Sequence, residues 1–133
     1  MKTISFRLKP GADLKNSIEV VVAEHSIRAG FIITCAGGLQ QARVRMAGAK
    51  PDSQNIQTFK ADFEIVSLVG TISISGTHLH ISFSDSKGNV IGGHLKEDTI
   101  IYPTAEIVLG IEETVEFVRE MDIETGFKEL VVK

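Results

Sequence analysis

Tryptophan is absent from these 133 residues, cysteine and tyrosine occur once each, and proline occurs three times. A single cysteine excludes an internal disulfide, and Cys35, inside the apolar run FIITCAGG, reads as a small buried hydrophobe without a catalytic role. No apolar run approaches the roughly 18 residues of a membrane-spanning helix. The opening MKTISFRLK alternates polar and apolar residues instead of presenting the apolar stretch of a secretory signal, so a cytoplasmic location is expected. There is also no dense Lys/Arg cluster interleaved with aromatics, which leaves little support for a phosphate-tracking groove. The net charge of −3 is unevenly spread: residues 1–60 hold nine Lys/Arg against four Asp/Glu, and residues 61–133 hold five against thirteen. Such polarity serves subunit packing as readily as nucleic-acid binding.

What is present is an ordinary globular composition, 43% hydrophobic and 23% charged, on a length that predicts one domain over 1–133. Ile4, Phe6 and Leu8 alternate with polar residues in a first strand that Pro10-Gly11 stops. Asp13 is placed to cap a helix with Leu14, Ile18, Val21, Val22 and His25 on one stripe, where His25 serves as a C-terminal residue favoured by the helix dipole. FIITCA reads as a buried strand turned by Gly37-Gly38, and Leu39 to Met46 as the next. Phe59 to Ser75 gives one bent strand or two short ones around Gly70. Thr99 to Gly110 follows, with Pro103 expected at an edge or bulge. EETVEFVRE is a helical turn or a strand, and Phe127 to Val132 a final strand. The expected class is α+β: a mainly antiparallel, strongly bent sheet of seven or eight strands with one main helix, as a two-layer sandwich.

Three of the four histidines lie in HLHISFSDSKGNVIGGH, residues 78–94. Strand alternation puts His78, His80, Ser82 and Ser84 on one face and Leu79, Ile81 and Phe83 on the other. Asp85 suits the first position of a type I turn and Gly88 its left-handed position, so Ser86 to Gly88 form the hairpin loop. Counting outward pairs Phe83 with Ile91, Ser82 with Gly92, Ile81 with Gly93 and His80 with His94. Opposed residues share a face, so three imidazoles converge, and Gly92 and Gly93 leave room for a ligand or another backbone. Three histidines leave a metal coordination sphere open, with zinc the preferred divalent ion. The alternative is that they are polar residues of a solvated or subunit-facing sheet.

These motifs, together with RLKPGADL at 7–14, AGFIITCAGGLQQARVR at 29–45 and DFEIVSLVGTIS at 62–73, resemble the PPC domain family, also called DUF296, nearly end to end. The resemblance implies a homotrimer and, as in several prokaryotic members, a metal on His78, His80 and His94. The family is often labelled DNA-binding, but in its plant members the minor-groove contact resembles the work of an RGRP-type AT-hook, which this chain lacks. Isolated binding is therefore expected to be weak and salt-sensitive, with Arg28, Arg43, Arg45 and Lys50 acting on phosphates.

Two function classes compete. One is a trimeric assembly or regulatory module whose metal is structural or ligand-sensing. The other is a zinc-dependent lyase or hydrolase acting on a small carboxylate or carbonyl substrate, since the family fold is similar to that of acetolactate decarboxylase. In the second, Glu64 and Glu106 are the candidate acid/base residues, and Arg7, Arg43 or Arg45 would hold a substrate carboxylate. Glu64, flanked by Phe63 and Ile65, must point away from the apolar face, toward either solvent or the histidines.

Overall fold

A computed structural model describes residues 1–133. Strand β1 (Lys2–Leu8) keeps Ile4, Phe6 and Leu8 half-buried and its alternate residues exposed. Asp13 then caps α1 (Leu14–Glu24): one carboxylate oxygen accepts from Asn16 N at 3.0 Å and the other from Asp98 N at 2.8 Å. The buried stripe is Leu14, Ile18 and Val22, whose spacing of four keeps one face inward, while His25 is exposed at the C-terminal end with Nδ1 3.0 Å from Val21 O.

The sheet is built from long strands. Strand β2 (Gly30–Arg45) is continuous where a turn at Gly37-Gly38 was expected. The two glycines admit a close approach instead: a Cβ on Gly37 would lie 2.1 Å from Thr104 O, and one on Gly38 2.4 Å from Tyr102 O. Strand β3 (Ile56–Ser73) is likewise single, with its register shift between Ile65 and Ser67. Gly70 adopts φ +143, and a Cβ there would meet His78 O at 1.9 Å. Only glycine lets β3 press this closely on β4 (Gly76–Ser84).

Strand β5 (Val90–Leu95) follows β4, and β6 (Ile100–Ile111) runs between β1 and β2. Pro103 is tolerated there because the β1 ladder ends at Leu8–Ala105 and the β2–β6 register shifts between Gly37 and Leu39. The six strands run β1-β6-β2-β3-β4-β5, all antiparallel, and β5 returns to β2 through Val44–Leu95 and Arg45–His94. Strands β2, β3, β4 and β5 thus close a circuit at one end of the bent sheet. One contiguous core joins the helix stripe to the inward sheet residues, among them Phe83, whose ring centroid is 4.8 Å from that of Phe63 and 6.0 Å from that of Phe59.

Residues Glu112 to Glu120 contribute no helix; β7 (Phe117–Met121) and β8 (Lys128–Val132) form a separate two-stranded sheet. The hairpin is tied down where Phe117 N donates to Arg28 O at 2.9 Å and Arg28 pairs with Glu116. The architecture is α+β, eight strands with one helix. That helix is neither long nor apolar enough to cross a membrane.

Candidate metal centre

The β4–β5 turn is built by one carboxylate. Asp85 accepts from Lys87 N at 2.9 Å, Asn89 N at 3.0 Å and Asn89 Nδ2 at 3.2 Å, bonds that hold its carboxyl below the usual carboxylate range. Gly88 takes φ +81 at the left-handed position. The turn sets the register predicted by counting: Ser82–Gly92, Ile81–Gly93 and His80–His94.

Register brings the imidazoles together. One ring nitrogen from each of His78, His80 and His94 lies within 4.8 Å of the others. Nε2 of His78 is 3.2 Å from Nε2 of His80, and the three ring centroids are 4.9 to 5.6 Å apart. Of the two expected neighbours of Gly92 and Gly93, a ligand or another backbone, the backbone is present. A Cβ on Gly92 would stand 2.2 Å from Ile81 O, and one on Gly93 2.5 Å from Arg45 O. Strand β5 is therefore pressed against β4 and β2 at once, which sets Arg45 beside His94, Nη2 to Nδ1 3.4 Å.

Burial pushes the His94 pKa down to about 3, with Arg45, the other two histidines and Lys96 adding repulsion. His78 is lowered for the same first reason, then by Arg119 and His80, with Glu129 opposing. Both rings are neutral near pH 7 and offer lone pairs without first losing a proton. Three imidazoles on converging strands fit a borderline-soft divalent cation such as zinc, and when bound such an ion acts as a Lewis acid toward carbonyl or water oxygen.

The remaining candidates separate. Arg45 joins the cluster. Arg43, two residues along, is bonded to Glu97 at 3.0 Å. Glu64 pairs with Ser84, not His80, so it shares the histidines' face of the sheet but sits four residues away along β4, roughly 13 Å. Arg7 and Glu106 are cross-strand neighbours on β1 and β6, both exposed, on strands that carry none of the histidines. Neither glutamate borders the cluster. Cys35 is partly buried, and burial raises its thiol to about 11, so it is no nucleophile near neutral pH.

Residues that sequence reasoning missed complete the surroundings. A cavity of about 290 Å³ beside His78 and His94 is walled by Arg45 and, from the C-terminal hairpin, by Arg119, Phe127, Lys128 and Glu129. A second, of about 340 Å³, opens on the other side of His94 and is shared by His80 and Arg45. The one available signal was Arg119 itself, a lone cation in the acidic stretch EETVEFVRE.

Residues 1–113 match the sequence profile of the Plants and Prokaryotes Conserved (PCC) domain. The chain belongs to that family. This PCC domain is 36% identical, over all 133 of its residues, to a bifunctional protein GlmU from Synechococcus, but spans only 20% of that protein's length. Among solved structures, a hypothetical protein from Salmonella enterica superposes with a TM-score of 0.93 at 30% identity, over 99% of this chain and 93% of the other. A metal-containing protein from Archaeoglobus fulgidus superposes at 0.82 and 25% identity, over 98% and 94%. A Staphylococcus aureus protein described as similar to alpha-acetolactate decarboxylase shares the fold at 0.58 and 15% identity, over 85% of this chain and 54% of its own. The β7–β8 hairpin of this PCC domain lies beyond the profile-matched residues.

Proposed function

We propose that this protein is a homotrimeric metal-binding module in which His78, His80 and His94 hold one divalent ion, zinc by preference, with a coordination position left for a small ligand. The observation that carries the reading is the convergence of three imidazole nitrogens within 4.8 Å. The metal-containing Archaeoglobus relative supports it. Assembly is supported by Ile33, Val66 and Val69, large apolar side chains on β2 and β3 that are 45%, 54% and 55% exposed and gain by being covered. Metal analysis and sedimentation of the purified protein test both parts. One ion per chain in a trimer is expected, and a metal-free monomer at micromolar concentration would end the proposal.

An enzymatic reading, a zinc-dependent lyase or hydrolase on a small carboxylate or carbonyl substrate, is favoured by one observation. Glu129 lines the cavity beside His78 and His94 and is its sole carboxylate. It takes the proton-transfer role in that reading, in place of Glu64 and Glu106. DNA binding is assigned no more than a weak, salt-sensitive part, because Arg28 and Arg43 are already engaged by Glu116 and Glu97.

A further inference from the structure

Two guanidinium groups stand at the histidine cluster without a carboxylate partner. Elsewhere Arg28 and Arg43 are ion-paired. Arg45 instead meets His94 Nδ1 and the face of Phe127, its guanidinium carbon 5.4 Å from the ring centroid. Arg119 donates from Nη2 to Thr71 Oγ1 at 2.7 Å. These neighbours orient the two cations without neutralising them, and each planar fork keeps further N–H groups free. Both line the cavity of about 290 Å³ that His78 and His94 border, together with Lys128 and a single acid, Glu129. Three cations against one carboxylate leave the wall with a net charge of +2 before any metal ion adds to it.

We propose that Arg45 and Arg119 form an oxyanion clamp beside the histidines, and that the ligand is a small carboxylate- or phosphate-bearing anion. Paired guanidinium forks match the planar or tetrahedral oxygens of such groups. The cavity volume is at the lower limit of small-molecule sites, about 300 Å³, and accommodates a molecule of a few heavy atoms. Arg45 arrives from β2, inside the closed strand circuit, and Arg119 from the β7–β8 hairpin. That hairpin is thus the specificity element of the site. The inference rests on the metal reading only for the ligand's second contact, an oxygen directed at the ion.

The test is calorimetric titration of the full chain, zinc-loaded and metal-free, with malonate and with inorganic phosphate, malonamide being the neutral control. Zinc-loaded protein is expected to bind at least one anion and not malonamide; the preferred anion identifies carboxylate or phosphate as the ligand's group. Arg119→Gln is expected to weaken that binding about tenfold or more, and Arg119→Lys by less, with zinc affinity within about twofold of wild type. Melting temperatures verify that each variant folds, and Arg45→Gln gives a second route to the same loss of binding. Anion affinity indifferent to both arginines, or no anion binding at millimolar concentration, overturns the clamp while leaving the metal reading intact. Arginine-dependent anion binding by a protein that holds no zinc sustains the clamp and removes the metal reading instead.

Discussion

The β4–β5 hairpin carries polar side chains at its turn and at its open end, yet spends them differently. At the turn end, both oxygens of the Asp85 carboxylate accept hydrogen bonds, from the amides of Lys87 and Asn89 and from the side chain of Asn89. At the other end, His78 and His80 hydrogen-bond to each other and to no backbone group, and His94 meets Arg45 alone. The turn carboxylate shapes the chain, and both its oxygens are engaged in doing so. The histidines build no turn, and their long side-chain contacts of 3.2 and 3.4 Å are ones that a metal ion can displace at the point where three strands meet. Proximity of polar groups therefore distinguishes the ends less than what their atoms already do.

The contrast is broken most sharply by removing a histidine. His80→Ala should lose more zinc affinity than the about 10- to 100-fold that follows loss of an outer partner, with the fold retained, as metal content and circular dichroism would show. Equal metal in wild type and variant would mean the cluster is not a ligand set. A second test exploits protonation. Three unperturbed imidazoles would release about two protons per zinc ion at pH 6. With His94 lowered to about 3 and His78 lowered as well, release should be distinctly smaller, measured by titration in buffers of different ionisation enthalpy. The same depression makes the metal-free fold more stable above the unfolded-state value of about 6.5, a contribution lost as pH falls toward about 3. His94→Gln should flatten the corresponding fall in melting temperature, and an unchanged slope would contradict the assignment.

The turn end should answer in the opposite sense. Asp85→Ala should lower the melting temperature through loss of the turn while leaving zinc affinity within a few-fold of wild type. Smallest of all is Glu64→Gln, expected to stay within about 0.5 kcal/mol in stability and to leave zinc affinity unchanged, since Glu64 is exposed and opposite Ser84. A marked loss of zinc in Glu64→Gln would join the two ends into one site.

Legibility in the sequence followed the range of the interaction. The Asp13 cap, the Leu14–Ile18–Val22 stripe and the His80–His94 register each follow from residues a few positions apart or from one turn, and all were readable. The β4 backbone beside Gly92-Gly93 followed from the hairpin register, but Arg45 beside Gly93, and Thr104 and Tyr102 beside Gly37-Gly38, come from strands distant in sequence. A glycine that bends the chain and one that admits a neighbour look alike in sequence. Glu64 was given a face, and whether it met solvent or the histidines stayed open, because alternation fixes parity and not distance along the strand. Arg119 offered only its charge as a signal, and its place at the site was not readable because Thr71, 48 residues away, positions it.

The return of β5 to β2 has a mechanical meaning. An open hairpin can slip by one residue and turn all its side chains over, whereas a strand clamped on both flanks by contacts that tolerate no Cβ has no such freedom. The spacing of the imidazoles is thereby locked like teeth in a closed zip, indifferent to what is attached at either end of the chain. Tuning such a socket falls to parts outside the loop of strands, and the peripheral β7–β8 jaw is the part that can be exchanged without loosening the lock.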